Sequence, residues 1–312
     1  ADDNSGVLRY VRIEYAGIVI SLNNEINGLT LGGVGRGTQI DHVQVSYAND
    51  DSFEWFGGTV DAKYLVAFGG TDDDFDTDFG YVGRLQFLFS QRDSLLWDAA
   101  GQSNGFESDN EGTAPFSANP RTAATFSNVT IIGPNITGTQ GLATGNKFEY
   151  AVLHRRASEM SIHNSVLMGY RYGYTFRDSL TAVAALAGRL KIRNTSLQAL
   201  ANVTNQSGVT TSFFNFATWV ADASFGNTGF GAARGASTVG LSDPFNYRNP
   251  NPTPGATSEA ATAGTSFAGL DATFFTNVNY RGAFQPGIAM SAQWTAGWTN
   301  WNPQATNYLT GV

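Results

Sequence analysis

Residues 43–81, VQVSYANDDSFEWFGGTVDAKYLVAFGGTDDDFDTDFGY, contain two kinds of short strand-like run that alternate along the chain. Runs of the first kind, such as residues 62–68 (AKYLVAF), are mostly apolar. Runs of the second kind, such as residues 75–79 (FDTDF), alternate phenylalanine or threonine with acidic residues. Because successive side chains of an extended strand point to opposite faces, the acidic side chains of the second kind share one face. The stretch therefore predicts β-structure with an apolar face and an acidic face.

Both kinds of run recur. Runs of the first kind include residues 10–16 (YVRIEYA), 42–48 (HVQVSYA), 62–68, 84–89 and 126–131, and runs of the second kind include residues 27–31, 51–55, 73–77 and 104–108. Two alternating strand series with variable insertions at the turns are typical of the coils of a parallel β-helix. A β-propeller would need four strands in each blade of about 40–45 residues, which fits less well. A sandwich built from hairpins is the alternative that stays open.

We therefore predict an all-β, single-stranded parallel β-helix that forms one domain over residues 1–312. Residues 181–270 lose the alternation and are predicted to form irregular insertions, loops and short helices. Residues 271–312 are predicted to form the last coil and a C-terminal aromatic cap, in which Trp294, Trp298 and Trp301 cover the open end of the core.

Composition excludes several functions. The formal net charge of −8 and the lack of a Lys/Arg cluster argue against nucleic acid as a partner. No run of 18 apolar residues is present, so we expect no membrane-spanning segment. The absence of cysteine removes disulfides, thiolate catalysis and cysteine-ligated zinc. A chain that begins with Ala1 suggests a processed product.

The acidic runs raise a physical question. If they stack in register, Phe53, Phe75 and Phe106 form an inward ladder, and carboxylates form an outward ladder with rungs about 4.8 Å apart. Like charges directly opposite each other destabilise a sheet. Protonation, a bound cation, or solvation with nearby arginines would each relieve the repulsion.

The oxygen-rich character of this face makes Ca²⁺ the cofactor that it fits. The predicted metal ligands are Glu54, Asp74, Asp76, Asp78 and Glu107. Two alternatives stay open: the acidic residues decorate a solvated surface, or they form a catalytic or sugar-binding site.

The sequence resembles a group of secreted or surface proteins of Bacteroidota-type bacteria. The resemblance lies in the segments LRYVRIEYAG, EINGLTLGGVG, residues 43–81 and the closing YRGAF and AGWTNWNPQ. The resemblance implies a right-handed parallel β-helix and an extracellular location. Members often carry a sorting tail or a lipoprotein anchor, whereas this sequence ends at Val312 without a sorting domain.

Analogy with pectate-lyase-like β-helices gives a catalytic alternative, because those enzymes hold Ca²⁺ on an acidic face while an arginine removes a proton from a uronate. Arg155, Arg156 and Arg177 are the candidates for that base, although no lyase signature surrounds them. Exposed tryptophans bind sugars by stacking, so Trp294, Trp298 and Trp301 are also candidate carbohydrate-binding residues. Five sequons mark candidate glycosylation sites: Asn128, Asn135, Asn194, Asn202 and Asn205.

The first strand begins almost at the N-terminus, so the first coil is predicted to lack a lid. An uncovered coil exposes unpaired backbone groups and favours self-association. The leading hypothesis is a secreted structural or adhesive protein of the cell surface that forms a homo-oligomer or filament and is stabilised by Ca²⁺. The alternative hypothesis is a protein that binds or degrades an extracellular polysaccharide through its acidic face.

Overall fold

The computed structural model describes residues 2–21, 24–99, 101–136 and 148–309. The strands are β1 (Val7–Glu14), β2 (Val19–Ser21), β3 (Asn24–Glu25), β4 (Leu29–Gly32), β5 (Gln39–Ser46), β6 (Phe53–Phe56), β7 (Ala62–Phe68), β8 (Phe75–Asp78), β9 (Arg84–Gln91), β10 (Phe106–Ser108), β11 (Thr125–Ile132), β12 (Tyr150–His154), β13 (Ser161–His163), β14 (Val166–Arg177), β15 (Ile192–Arg193), β16 (Ser196–Ser207), β17 (Leu241–Asp243) and β18 (Asn251–Pro254). The helices are α1 (Ser179–Leu186), α2 (Phe216–Val220) and α3 (Glu259–Thr262), with 3₁₀ turns at Ala223–Phe225, Ala236–Thr238, Met290–Ala292 and Pro303–Ala305.

The long strands form two parallel ladders. The first ladder runs β1, β5, β7, β9, β11 and the start of β14, and the second runs β4, β6, β8, β10, β12 and the end of β14. The chain visits the ladders alternately, adding one strand to each per coil, and β16 continues the stack beyond β14. Short antiparallel pairs, β2 with β3 and β17 with β18, lie outside this stack. The predicted parallel β-helix is confirmed.

Each strand of the first ladder bends at one residue with positive φ. The bends in β1, β5, β7 and β9 lie at Tyr10, His42, Tyr64 and Phe87, with φ between 54° and 61°. This backbone conformation costs a residue other than glycine about 1–2 kcal/mol. Ring stacking offsets part of that cost, because the four rings form a column with centroids 4.5, 4.5 and 5.3 Å apart. The bend divides each of these strands into two segments, so a coil has three extended segments built from the two strand series that the sequence shows.

Asparagine takes over the same bend in the later coils. Asn128, Asn164 and Asn194 have φ of 55°, 50° and 50°, and the flanking strand register aligns them one above another. Asparagine tolerates this conformation better than most residues. Its amide also fixes the bend, since Asn164 Nδ2 donates to Ser127 Oγ at 3.1 Å and to the Ser266 carbonyl at 3.0 Å.

The interior of the solenoid is an aromatic column. Phe53, Phe75 and Phe106 are fully buried, and their ring centroids are 5.6 and 5.5 Å apart along the second ladder. Each such side chain stabilises the fold by about 1.5–3 kcal/mol through burial. Around α2, Phe214 and Phe216 pack on the inward rings of β14 and cover the core after the last coils.

The predicted cluster of C-terminal tryptophans is present, but it lies along the side of the early coils and not over the last coil. The ring of Trp298 lies 5.4 Å from that of His42, and the ring of Trp301 lies 5.3 Å from that of Phe68. The indole of Trp294 donates a hydrogen bond to the Ala283 carbonyl at 2.8 Å. The segment after α3 therefore runs back along the first ladder toward β1.

The outer face of the first ladder explains this path, because it is apolar and needs cover. Its buried side chains include Val66, Phe68, Phe89, Ile132 and Met168. The segment 271–309 contains only short 3₁₀ turns within its described residues, whereas the strands of the last coil, β15 and β16, lie inside the 181–270 region that the sequence left irregular. None of the helices in the described ranges is long and apolar enough to cross a membrane.

Candidate functional site

The acidic side chains of the second ladder form a column on its outer face. Glu54 is paired in register with Asp76, and Asp76 with Glu107. The alternation is the predicted one, since Phe75 and Thr77 are fully buried on either side of the half-buried Asp76. Strand pairing therefore brings three of the predicted metal-binding residues together on adjacent rungs.

Two further carboxylates join this column from the turns that precede the strands. One carboxylate oxygen each from Asp51, Glu54 and Asp76 lie within 4.8 Å of one another, as do one each from Asp73, Asp76 and Glu107. The Asp73 amide donates to Asp51 Oδ1 at 2.8 Å, so the turns of adjacent coils are tied together. We call these five residues the acidic cluster. A third group, Asp50, Asp51 and Asp72, extends it along the turn.

Sequence reasoning missed Asp51 and Asp73 because it extended the period of two through the whole acidic stretch. The chain turns at Asp73 and Asp74, so Asp73 does not lie on the face opposite the cluster. A signal was present, since Asp51 and Asp73 each stand two residues before an inward phenylalanine. Asn104 occupies the same position in the next coil, where its backbone N–H donates to Asp73 Oδ1 at 2.7 Å.

Asp74 lies outside the acidic face, contrary to expectation. Its side chain is fully buried, with Oδ2 3.2 Å from Nε of the fully buried Arg92. Arg92 also donates to the Gly70 carbonyl at 2.9 Å and to the Tyr170 hydroxyl at 3.1 Å. Burial raises the pKa of Asp74 to about 6, while Arg92 opposes the rise. This pair belongs to the interior and does not offer ligands to a surface cation.

Asp78 stands at the edge of the cluster. Its Oδ1 accepts a hydrogen bond from the amide of Phe79 at 2.6 Å. Burial raises the pKa of Asp78 to about 6, Asp109 adds to the rise, and Arg156 and Arg155 oppose it. Asp78 is not among the residues whose oxygens converge in the acidic cluster.

The cluster is strongly acidic and short of counter-charge. Burial, together with nearby acids, raises the pKa of Glu54 to about 8 despite a hydrogen bond from Asn27. Burial followed by Glu107, Glu54 and Asp73 raises the pKa of Asp76. Its Oδ1 is shielded from solvent and has no hydrogen-bond partner within the part of the chain that the structure describes. Carboxylates held this way either retain protons near neutral pH or bind a cation.

The arginines predicted as catalytic bases are engaged in contacts. Arg155 pairs with Glu107 and donates from Nε to Asp109 at 2.9 Å, and Arg156 pairs with Asp109 at 2.6 Å. Although burial opposes it, the carboxylates of Glu107 and Asp109 raise the pKa of Arg155. Arg177 is farther from the cluster and donates to the Tyr150 hydroxyl at 3.2 Å. A guanidinium held by two carboxylates is a poor proton acceptor, so Arg155 is suited to orienting Glu107.

The sequons differ in exposure. Asn128 is fully buried at a bend of the first ladder and donates to the Tyr280 carbonyl at 3.0 Å, so a glycan there would disrupt the coil. Asn135 and Asn202 are exposed, whereas Asn194 and Asn205 are half-buried.

The fold and the site together define a parallel β-helix protein with a carboxylate cluster on the outer face of one sheet. The family comparison agrees with this class: the chain belongs to the pectate-lyase-like β-helix domain family, whose model matches residues 1–299. Searches of curated proteins and of solved structures gave no match to the chain.

Proposed function

We propose that the protein is an extracellular Ca²⁺-binding β-helix whose acidic cluster holds the cation and, through it, the carboxylates of an acidic polysaccharide. The observation that carries this proposal is a pair of overlapping carboxylate groups on three adjacent rungs, in which Asp76 lies close both to Asp51 with Glu54 and to Asp73 with Glu107. Their raised pKa values mean that a divalent cation would relieve an existing electrostatic cost.

Ca²⁺ fits this donor set better than other common metals. Only oxygen ligands converge, whereas zinc prefers nitrogen and sulfur. Ca²⁺ takes six to eight oxygens in flexible geometry, and Mg²⁺ demands a near-ideal octahedron. Carboxylates from several rungs give a broad, irregular donor set, which favours Ca²⁺. Ligand positions that the protein leaves open would be taken by water or by carboxylates of a uronate polymer.

An aromatic platform beside the cluster supports a sugar ligand. Phe79 follows Asp78 directly, is 56% exposed, and has a φ of 49° in the turn that ends β8. Its ring centroid lies 5.8 Å from that of Phe56, one rung below. The apolar C–H face of a pyranose ring can pack on such a surface while its carboxylate reaches the cation. The proposal is one of binding, because Arg155 is already held by carboxylates.

Calorimetry on chelator-treated protein tests the proposal. We expect Ca²⁺ to bind more tightly than Mg²⁺, and polygalacturonate to bind only when Ca²⁺ is present. Glu54→Gln combined with Asp76→Asn should abolish both events. Asp41→Asn, a matched loss of a carboxylate on the first ladder, should change neither.

Two results would refute this function. One is Ca²⁺ binding that persists in the double variant, and the other is polyuronate binding that is indifferent to chelator. Appearance of an unsaturated uronate product would instead assign elimination chemistry to the same site.

A second proposal, self-association through the first coil, rests on a different observation. Within the described ranges, β1 pairs only with β5, and its other edge is open. Val7, Tyr10 and Tyr15 are 63%, 59% and 51% exposed there. Open strand edges with apolar side chains favour addition of another chain. We expect sedimentation velocity to show concentration-dependent oligomers that Val7→Lys removes. A monomer at all concentrations would contradict self-association.

A further inference from the structure

A cavity of about 780 Å³ lies outside the acidic cluster and shares no residue with it. Three chain segments converge there on Tyr47, which follows β5: the loop after β9, the loop after β17, and the turn near residues 301–305. Ligand sites for small molecules typically measure about 300–1,000 Å³, so the cavity can hold a short oligosaccharide.

The cavity is built around a fixed aromatic wall. The ring of Tyr247 is stacked on Phe68, with centroids 4.5 Å apart and planes 1° from parallel. Gly69, at φ 66°, makes this possible, because a Cβ there would lie 2.3 Å from the Tyr247 hydroxyl oxygen. Trp301 packs edge-on against the same Phe68 at 5.3 Å. The loop that carries Tyr247 is tied to the solenoid by a hydrogen bond from Gln91 Nε2 to the Pro244 carbonyl at 3.0 Å.

Four polar side chains at the rim of the cavity, those of Asp93, Arg248, Asn302 and Gln304, offer hydrogen-bonding atoms to a ligand. Among the described residues, the side chains of Asn302, Gln304 and Arg248 have no hydrogen-bond or ion-pair partner, although all three line the cavity and are exposed. One carboxylate oxygen of Asp93 accepts a hydrogen bond from the backbone N–H of Leu95 at 2.9 Å. Its other oxygen, the two amides and the guanidinium therefore supply both donors and acceptors around the aromatic wall.

We propose that this cavity is a binding site for a neutral saccharide. Sugar hydroxyls donate and accept at once, so they can satisfy the carboxylate, the amides and the guanidinium together. One acid and one base at the rim leave the cavity without net charge. A strongly anionic ligand would be repelled by Asp93, and a cationic ligand would be repelled by Arg248. The aromatic wall supplies the apolar surface against which a sugar ring packs.

The test is independent of the acidic cluster, because it is carried out in excess chelator. Saturation-transfer NMR and calorimetry measure binding of a panel of neutral oligosaccharides built from glucose, mannose, galactose or xylose, with a galacturonate oligomer as the charged comparison. We expect at least one neutral oligosaccharide to bind, and the charged oligomer to bind more weakly.

Variants then locate the site. Asn302→Ala combined with Gln304→Ala removes two exposed rim partners and should weaken binding roughly tenfold, as expected for two lost hydrogen bonds. Glu54→Gln combined with Asp76→Asn, which removes the proposed cation ligands, should leave neutral-sugar binding unchanged.

Failure of every neutral oligosaccharide to bind would overturn the proposal, as would equal binding by the rim double variant. If the charged oligomer bound more tightly in chelator than the neutral oligosaccharides, the assignment of the ligand as a neutral saccharide would be overturned. Since the chelated protein lacks the cation that the acidic cluster needs, failure here leaves the Ca²⁺ proposal standing, and the reverse also holds.

Discussion

Replacing Arg92 by methionine removes the counter-charge of Asp74 inside the solenoid. Both side chains are fully buried, and their closest atoms are 3.2 Å apart. Breaking a buried ion pair by deleting one partner typically costs about 3–5 kcal/mol, because the remaining charge is uncompensated. The Gly70 carbonyl loses the Arg92 hydrogen bond as well, which adds about 1–3 kcal/mol. We therefore expect the variant to lose about 4–8 kcal/mol of unfolding free energy near neutral pH.

The pH dependence of this loss has a definite sign. The pKa of Asp74 is raised to about 6 even with Arg92 in place, and it rises further without the guanidinium. A raised pKa in the folded state means that the folded protein takes up a proton more readily than the unfolded chain. The stability cost of the variant should therefore shrink as the pH falls from about 8 to about 5, since Asp74 becomes neutral.

Urea unfolding followed by circular dichroism at both pH values measures the effect. The double variant Arg92→Met with Asp74→Asn serves as control, because it removes the stranded charge and should recover part of the lost stability at the higher pH. A loss below about 1 kcal/mol for Arg92→Met would refute the assignment of Asp74 to the buried interior, since that size is typical of an exposed pair.

Three further changes test other parts of the molecule. In chelator, the melting temperature should rise as pH falls from about 8 to about 6, because the pKa of Glu54 is raised to about 8 and protonation relieves repulsion in the acidic cluster. Saturating Ca²⁺ should remove this pH dependence. A melting temperature that does not change with pH in chelator would contradict the prediction. Gly69→Ala should cost about 1–3 kcal/mol in urea unfolding and displace Tyr247, because φ is positive and the new Cβ meets the phenol. Asn164→Ala should cost about 3 kcal/mol, because alanine is strained in the bend conformation and the amide hydrogen bonds are lost. Asn164→Gly loses only the hydrogen bonds, since glycine adopts the bend without strain, and should cost less. Equal losses in the two variants would show that the bend conformation does not contribute.

The sequence predicted the ladder of the second sheet well because a local rule governs it. Alternation places Phe75 inward and Asp76 outward, and the recurrence of the same pattern at Phe53 and Phe106 sets the register. Strand pairing then aligns phenylalanine with phenylalanine and carboxylate with carboxylate on neighbouring rungs. The carboxylate column of Glu54, Asp76 and Glu107 follows from the same rule.

Local rules did not reveal the bends of the first ladder. Tyr10, His42, Tyr64 and Phe87 adopt a conformation that sequence rules associate with glycine and asparagine. The conformation is stabilised by rings on neighbouring coils, which are 22 or more residues away in sequence. The asparagines of the later coils, Asn128, Asn164 and Asn194, were the readable sign of a bend at that position.

Packing over long sequence separations also decided the path of the C-terminal segment. Trp294 and Trp298 are far in sequence from the face that they cover, so their own neighbours give no information on which surface they choose. The apolar outer side chains of β7 and β9 were the available clue, because a strand buried on both faces must be covered by another part of the chain.

The acidic cluster and the aromatic interior are two consequences of one repeat. Stacking identical rungs about 4.8 Å apart concentrates whatever each rung carries. Inside, phenylalanine on each rung gives favourable ring contacts. Outside, a carboxylate on each rung gives repulsion that grows with every coil added. The column ends where Leu153 replaces an acid opposite Glu107, and Arg155 closes it at that edge. A counter-cation would remove the remaining cost without changing the register that the phenylalanines fix, which is why a binding role accounts for this face better than decoration by solvated acids.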